Sequence, residues 1–515
     1  MALVQIAHNA VNAKLITADR AVQTQVSRIL SYEVQGKEAV SSFRSGHWDG
    51  RSSFYEFRKS LFPAGFVPLV WQTLSRLGHT VQVKRPALPS PLGVERPLFD
   101  DFGYTQPEYG FQLETVQKVE RHGRLIAQIA TGGGKSRIAK IAVARLMRPT
   151  LFLTTRGVLM YQMKGHFEDL LAGLIANYPE LAHLARYQVG VLGDGVWNPR
   201  KLITVGMIQT LTSRLQDPDP TASLELQAQQ RAVKVKTLRL LELFEFVILE
   251  EAHEVSGNSY YQILEACKNA HYRLALTATP FMSENEEANM RLMASAGPVG
   301  IRVTEKELID RGILATPYFK FITPQLPKGL FRTTRWPRCY EQGVLKSEDR
   351  NHLIVEEAIR GAKHGLSVLI LIQRTAHGKL LETAIKQAGV AVKFIHGEHE
   401  QTERKLWLDK LSTGELNVLI GSTILDVGVD VPAIGMIILG AGGKAEVALR
   451  QRIGRGLRAK KVGPNVAFVV DFTDKHNKIL GDHSQQRYDI IAGTPGFAER
   501  ILLPGQDFDF SGFRV

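Results

Sequence analysis

The chain has 515 residues, 44% of them hydrophobic, which is enough for about three domains at roughly 150 residues each. Its 64 basic and 51 acidic residues give a formal net charge of +13, which favours a polyanionic partner. The two cysteines, Cys267 and Cys339, exclude a disulfide framework and a cysteine zinc cluster. Without a secretory signal pattern or a run of roughly 20 apolar residues, the sequence predicts a soluble cytoplasmic protein that contacts no membrane.

The first hundred residues differ from the rest of the chain. They carry no glycine-rich phosphate motif, and aromatic residues lie among basic ones, as at Arg44, Trp48 and Arg51. We interpret residues 1–100 as a small separate α+β module. We find no internal repeat or low-complexity tract in the chain.

The body of the chain contains short β-branched or leucine-rich runs separated by stretches with helical spacing. This alternation predicts parallel sheets with crossover helices. The first set of predicted strands is Leu125–Ala130, Thr150–Thr154, Leu202–Val205, Phe246–Leu249 and Arg273–Leu276. The second set is Ser367–Ile372, Val390–Ile395, Asn417–Gly421, Met436–Leu439 and Ala467–Val470. Two sets of strands predict two α/β domains. The proline-containing stretch Thr316–Lys328 is the predicted join between them. Asp217–Pro220 begins a predicted polar, helical insertion in the first domain.

A glycine-rich segment, ATGGGKS, follows the first strand of the body at Ala130–Ser136. A strand, a glycine-rich turn and a helix are the context that a phosphate-binding loop requires. Lys135 would reach the β and γ phosphates, and the Ser136 hydroxyl would bind Mg²⁺. Ile129 stands where the strict pattern has its first glycine, and an ordinary turn before a helix is the alternative. The candidate nucleotide-binding residues here are Thr131, Gly132, Gly133, Gly134, Lys135 and Ser136.

An acidic motif, EEAH, follows the strand that ends at Leu249. In nucleotide motors the first carboxylate binds Mg²⁺ and the second orients or deprotonates the attacking water; here these are Glu250 and Glu251. The usual first residue is Asp, and Mg²⁺ tolerates little error in its octahedral shell. The extra methylene of Glu250 is therefore expected either to slow hydrolysis or to hold the metal through a water molecule. An isolated pair of glutamates is otherwise typical of a solvated helix terminus. The candidate coupling residues are His253 of this motif and, in the TAT motif after the next strand, Thr277 and Thr279.

An arginine motif, QRIGRGLR, occupies Gln451–Arg458. Helical spacing puts Gln451, Arg455 and Arg458 on one face. Arginines directed at a γ-phosphate stabilise the charge of the transition state, so Arg455 and Arg458 are candidate catalytic and nucleotide-binding residues, with Gln451 as a coupling residue. The alternative, a solvated basic helix, gains nothing from the two interspersed glycines.

Together these motifs resemble those of superfamily 2 helicases of the DEAH-like branch, over roughly residues 105–490. Minor motifs agree: Phe111-Gln112 is similar to the adenine-reading glutamine motif, and Ser422–Pro432 is similar to a second-lobe motif. The resemblance implies two tandem RecA-like parallel-sheet domains with ATP bound between them and Mg²⁺ as cofactor. It also implies that Gln112, Gly428 and Asp430 contribute to the nucleotide site. We expect the first such domain at 101–316 and the second, with a C-terminal extension, at 317–515.

The N-terminal segments Phe43–Arg51 and Leu61–Val67 resemble the N-terminal domain of the phage UvsW helicases, as does the stretch Asp471–Asp474 near the C-terminus. This resemblance implies an ATP-driven, monomer-type motor that remodels forks, Holliday junctions, D-loops or R-loops, in host cytoplasm if phage-encoded. A motor of this type grips mainly the sugar–phosphate backbone. The candidate nucleic-acid contacts are Arg156, Gln209, Thr210, Arg374, Thr423, Arg44, Trp48 and Arg51, although Trp48 fits a core position equally well.

Three functions remain open from the sequence. The first is a DNA branch-migration helicase acting on branched or partly single-stranded DNA. The second is an RNA helicase or R-loop remover acting on RNA–DNA hybrids, because the motor motifs do not separate DNA from RNA. The third is an ATP-binding nucleic-acid clamp or annealing factor with weak hydrolysis, suggested by Glu250. A restriction-type translocase ranks lower, since we find no appended nuclease motif.

Overall fold

The computed structural model describes residues 3–252, 258–281, 285–421, 433–443, 453–454, 456–460 and 463–512. By contacts these fall into two compact units. One unit contains residues 1–129 and 134–302, and the other contains residues 130–133 and 303–515. No helix among the described residues is long and apolar enough to cross a membrane.

The N-terminal part of the first unit forms a small α+β layer. A four-stranded sheet has the order β5-β2-β1-β6, and β3 pairs with β4 beside it. The strands are β1 (Leu3–His8), β2 (Asn12–Ile16), β3 (Ser31–Glu33), β4 (Arg51–Ser53), β5 (Leu61–Pro63) and β6 (Thr80–Lys84). The helices of this layer are α1 (Arg20–Ile29), α2 (Ser41–Arg44) and α3 (Val67–Arg76). The amphipathic pattern of α1 and α3 buries Val22, Val26, Val70 and Leu74 against the sheet.

The larger part of the first unit is built around an eight-stranded sheet. Its order is β10-β9-β11-β8-β12-β13-β7-β14. The strands are β7 (Arg124–Ile129), β8 (Thr150–Thr154), β9 (Val189–Gly193), β10 (Val196–Asn198), β11 (Ile203–Met207), β12 (Phe246–Glu250), β13 (Tyr272–Thr277) and β14 (Val299–Val303). The helices are α4 (Gly110–His122), α5 (Lys135–Leu146), α6 (Gly157–Asn177), α7 (Ile208–Leu215), α8 (Leu224–Leu241), α9 (Asn258–Ala266) and α10 (Glu286–Ala296). The ladders that join β9, β11, β8, β12, β13 and β7 are parallel, as expected for strands that are buried on both faces.

The second unit contains a six-stranded sheet of order β15-β20-β19-β16-β18-β17, in which every pairing is parallel. Its strands are β15 (Thr316–Ile322), β16 (Val368–Leu371), β17 (Val392–Ile395), β18 (Val418–Gly421), β19 (Met436–Leu439) and β20 (Val466–Phe472). Its helices are α11 (Glu305–Asp310), α12 (Arg338–Tyr340), α13 (Glu348–Lys363), α14 (Thr375–Gln387), α15 (Gln401–Thr413) and α16 (Lys478–Ala492). The helix α11 begins with a capping box between Thr304 and Glu307, which satisfies two backbone donors at its start.

The predicted fold class is confirmed, because each predicted strand set forms a largely parallel sheet. The predicted insertion after Asp217–Pro220 is helix α8. The proposed join at Thr316–Lys328 contains strand β15, which the sequence interpretation missed. The domain boundaries at residues 100 and 316 stay predictions.

The N-terminal layer packs tightly on α10 of the same unit. Ala294 belongs to its hydrophobic cluster, with Met290 and Met293 packed alongside. Gly65 marks the closest approach, since a Cβ built there would lie 2.1 Å from the carbonyl oxygen of Met293. No side chain fits at that position without moving backbone.

We expect Gly65→Ala to lower the free energy of unfolding by about 1–3 kcal/mol, the usual cost of overpacking. Gly165→Ala is the matched control, because it lies in α6 with nothing within 4 Å of a built Cβ. That substitution should instead stabilise by roughly 0.5–1 kcal/mol through helix propensity. Urea denaturation of both variants measures the difference, and equal stability of the two would contradict the tight packing.

Candidate nucleotide site and nucleic-acid interface

Three strands of the first unit end side by side at one edge of its sheet. Glu250 at the end of β12 pairs with Leu276, and Thr277 at the end of β13 pairs with Gln128 of β7. Adjacent strands are about 4.8 Å apart, so the ends of β12 and β7 lie within roughly 10 Å. The acidic motif, the TAT motif and the glycine-rich turn therefore begin at the same edge, although they are far apart in sequence.

The glycine-rich turn leads from β7 directly into α5. Gly132 and Gly134 have φ values of +90° and +78°, which glycine adopts without the strain that other residues suffer. Lys135 and Ser136 open α5, where backbone N–H groups lack intrahelical partners and face an anion favourably. The Lys135 Nζ lies 3.5 Å from the carbonyl oxygen of Ile129, so its ammonium group lies close to the residue that precedes the turn.

Ile129 explains how the turn forms without its usual first glycine. It is the last residue of β7, and its side chain is fully buried in the core. Its backbone is a strand backbone and needs no positive φ. The first glycine with a positive φ, Gly132, comes three residues later.

Gln112 lies against this turn. It is 1% exposed on α4, and a Cβ built on Gly134 would lie 2.4 Å from its Nε2. The amide of Gln112 therefore approaches the bare backbone of the turn more closely than a side chain at residue 134 would permit. The buried amide of Gln112 thus lies beside the bare backbone of the turn, which is the candidate phosphate cradle.

The acidic pair has an unusual local geometry. Glu250 is 7% exposed, which differs from a solvated helix terminus, and the Tyr260 hydroxyl donates to its backbone carbonyl at 3.2 Å. Glu251 has a φ of +47°, a left-handed conformation that costs a non-glycine residue about 1–3 kcal/mol. His253, the coupling residue predicted in this motif, lies outside the described residues.

The TAT motif occupies the strand end between the turn and the acidic pair. Thr277 and Thr279 are 0% and 7% exposed. The backbone N–H of Thr279 donates to the Thr277 Oγ1 at 3.2 Å, which closes a tight turn directly after β13. The position fits the predicted coupling role, which stays a prediction.

Two of the predicted nucleic-acid motifs meet at the ends of β8 and β11. The Gln209 Nε2 donates to the backbone carbonyl of Thr155 at 2.9 Å, which ties α7 to the loop before α6. Arg156 caps α6 and is half-buried. Gln209 is exposed and Thr210 is half-buried, so both motifs present polar residues next to the point where Gln209 joins them.

The N-terminal candidates have different environments. Arg44 is exposed, with its Nη2 2.6 Å from the Ala39 carbonyl oxygen. Trp48 is half-buried, and its Nε1 donates to the Arg51 carbonyl at 2.6 Å. Arg51 pairs with Glu286 at 3.3 Å, so its guanidinium links β4 to α10. Arg44 and Arg51 are both exposed, but the charge of Arg51 is paired with a carboxylate.

The predicted residues of the second unit are only partly described. Arg374 is exposed at the N-terminus of α14, and Arg458 is exposed beside Leu314. Gly456 packs closely on Ile437, since a Cβ at residue 456 would lie 2.4 Å from the Ile437 Cδ1. The residues Thr423, Gly428, Asp430, Gln451 and Arg455 lie outside the described part of the chain.

The second unit also contains buried ion pairs. The sequence analysis singled out their acidic segment, Asp471–Asp474, but not Arg350. Arg487 forms several hydrogen bonds with Asp471 at 2.9–3.2 Å and donates to the Gly443 carbonyl at 2.9 Å. The fully buried Arg350 forms a salt bridge with Asp474. The acidic residues of Asp471–Asp474 can be found as a motif in the sequence. The burial of Arg350 has no local sequence signal.

His377 lies next to this ion-pair cluster and is held neutral. Burial and the nearby Arg350 lower the pKa of His377 from its usual value near 6.5 to about 4. The His377 Nε2 lies 2.7 Å from the Asn351 Oδ1, so the neutral ring donates to that amide oxygen.

We expect Gly134→Ala to weaken ATP binding by at least about tenfold, because the added Cβ meets Gln112 and the residue is held at positive φ. Gly110→Ala is the control, since nothing lies within 4 Å of a Cβ there and the residue begins the same helix as Gln112. Titration with a fluorescent ATP analogue measures both affinities. Unchanged affinity in Gly134→Ala would contradict the phosphate cradle.

We expect His377 to make the chain less stable in acid. Between pH 6.5 and about 4 the unfolded chain binds a proton that the folded chain does not, so the free energy of unfolding falls by up to about 1.4 kcal/mol per pH unit. His377→Gln should remove this component, whereas the exposed neighbour variant His352→Gln should retain it. Denaturation at pH 7 and pH 5 compares the variants, and an identical pH dependence in all three proteins would refute the assignment.

Comparison with known families matches both units. Residues 105–282 match the family model described as the Type III restriction enzyme, res subunit, and residues 349–460 match the helicase conserved C-terminal domain. UvsW of Enterobacteria phage T4, an ATP-dependent DNA helicase, is 21% identical over 86% of this chain and 85% of its own. The putative helicase 22 of a Sulfolobus islandicus filamentous virus is 25% identical over 48% of this chain, which spans only 45% of that relative.

The fold agrees with a solved helicase structure. The helicase MrfA, in a crystal structure with DNA and AMPPNP, aligns with a TM-score of 0.53 at 13% identity, covering 78% of this chain and 54% of that one. This likeness shows the shared fold. The two family matches and the UvsW relative lead to one conclusion: this chain is an ATP-driven helicase of superfamily 2 that resembles UvsW.

Proposed function

We propose that this protein is an ATP-dependent DNA motor that remodels branched DNA. The observation that carries the proposal is the common sheet edge where the glycine-rich turn, Glu250 and Thr277 meet. The N-terminal layer and its resemblance to the phage UvsW helicases support branched DNA as the substrate. The net charge of +13 is consistent with a nucleic-acid partner.

The residues of the edge fit a nucleoside triphosphate. The bare backbone of Gly132 and Gly134 would receive the phosphates, and the Lys135 ammonium would balance charge on the β and γ groups. The Ser136 hydroxyl and the Glu250 carboxylate are oxygen donors of the kind that Mg²⁺ prefers. When bound, Mg²⁺ would neutralise charge developing on the phosphates.

Hydrolysis requires a group that holds water in line with the γ-phosphate. Glu251 is our candidate, because it directly follows Glu250 at the end of β12. Its carboxylate would accept the proton of the attacking water. Arg458, and Arg455 outside the described residues, are the proposed counter-charges for the transition state.

Strand grip would come from polar groups on both units. Arg156, Gln209 and Thr210 in the first unit and Arg374 in the second would contact the sugar–phosphate backbone. Contacts of this kind are independent of base sequence and weaken as salt rises. Thr423 is proposed for the same role from its motif alone. Arg44 in the N-terminal layer would add a contact to duplex DNA.

The decisive measurement is steady-state ATP hydrolysis without nucleic acid, with single-stranded DNA, with a four-way DNA junction and with single-stranded RNA. We expect the strongest stimulation by the junction. Glu251→Gln should lower kcat by roughly 100-fold or more, the usual contribution of a general base, while ATP binding is retained. Glu225→Gln, on the exposed face of α8, should leave the rate unchanged.

The other outcomes distinguish the alternative functions. Stimulation by RNA alone would favour an RNA helicase. If turnover is near zero with every nucleic acid and the Glu250→Asp variant regains ATP hydrolysis, the protein is an ATP-binding clamp or annealing factor. Failure of any DNA to stimulate an active ATPase would refute the branched-DNA proposal.

A further inference from the structure

A second cavity lies at the opposite end of β7 from the glycine-rich turn. Its volume is about 410 Å³, and its walls come from the N-terminal layer and from the start of β7 and β14 in the same unit. The six residues between Arg124 and Ile129 span roughly 16 Å at about 3.3 Å per residue. The cavity is therefore separate from the nucleotide site.

The lining of this cavity combines basic and apolar residues. The basic residues are Arg85, Lys118, Arg124, His8 and His122. The apolar residues are Ala64, Val67, Pro68, Val83, Leu125 and Pro298. The described lining residues include no aspartate or glutamate, so the positive charge has no counter-charge inside the cavity.

Arg124 is the most unusual member of the lining. It is 8% exposed, and its Nη2 donates to the Ala10 carbonyl at 2.8 Å. Its Nη1 is buried without a hydrogen-bond partner among the described residues. A buried guanidinium without a carboxylate is costly. Burial and the neighbouring Arg273 and Arg85 lower the pKa of Arg124 to about 9, which reflects the same missing counter-charge.

The other two strong cations hold fixed positions. Arg85 donates to the backbone carbonyls of His122 and Arg121 at 2.9 and 3.0 Å, at the end of α4. The Lys118 ammonium donates to the Gly300 carbonyl at 2.9 Å and pairs with Glu114 at 2.7 Å. Three cations are thus held by carbonyls on different elements around one partly enclosed space.

We propose that this cavity binds a small organic oxyanion, with a carboxylate or phosphate head among Arg85, Lys118 and Arg124 and an apolar body against Val67, Val83 and Leu125. The anion supplies the counter-charge that the described lining residues do not. It also bridges the N-terminal layer and the sheet, so its binding stabilises their association.

The test is isothermal titration calorimetry of the full-length protein saturated with Mg²⁺–ADP, which keeps phosphate probes out of the glycine-rich turn. The probes are 3-phenylpropionate and phenyl phosphate, with 3-phenylpropanol as the uncharged analogue. We expect both anions to bind and the alcohol to bind at least about tenfold more weakly, as expected for loss of charge-assisted hydrogen bonds. Equal binding of the alcohol, or no binding of either anion, would overturn the proposal.

Variants connect the binding to the cavity. Lys118→Gln and Arg85→Gln should each weaken anion binding about tenfold or more, with folding checked by circular dichroism. Lys164→Gln is the matched control: Lys164 pairs with Glu168 at 2.5 Å and its side chain is 33% exposed, against 36% for Lys118. Unaltered binding in the folded cavity variants would refute the site. Displacement of the probe by single-stranded DNA would instead assign the cations to a nucleic-acid phosphate.

Discussion

The parallel register of three strands is the constraint on which the rest of the first unit depends. Pairing of Glu250 with Leu276, and of Thr277 with Gln128, fixes where β12, β13 and β7 end relative to one another. A slip of one residue would turn each side chain to the other face of the sheet. The register is in turn held by core residues such as Ile126, Leu249 and Leu274, each at most 1% exposed. Nucleotide chemistry in this protein is therefore coupled directly to the packing of its most buried strands.

The buried arginines show how differently the same group is stabilised across the chain. Arg487 and Arg350 each have an aspartate partner, while Arg273 donates to four backbone carbonyls. Arg124 has only the Ala10 carbonyl among the described residues. A folded protein normally compensates a buried charge. Arg124 lacks such compensation among the described residues, and this is why we propose a ligand site there.

The sequence predicted those elements whose signal is local. Buried parallel strands read as continuous apolar runs, so Thr150–Thr154 and Met436–Leu439 were predicted with their observed bounds. Strand β15 was missed because Pro317 and Lys320 interrupt its pattern, and because an edge strand tolerates both. The glycine-rich turn and the acidic pair could be found as motifs. Arg124 and Arg350 could not, since burial of an arginine depends on elements that are distant in sequence.

The two departures from the helicase motifs have different physical consequences. Ile129 replaces a glycine at a position where the backbone is still strand and the side chain enters the core, so it changes nothing that faces the phosphates. Glu250 moves its functional group outward by one methylene, and its backbone cannot shift to compensate because it is hydrogen-bonded within the ladder to β13. The side chain must absorb the extra length by its own rotation, in a place where only 7% of the residue is exposed. We therefore expect a change of the hydrolysis rate from the departure at Glu250 and none from the departure at Ile129.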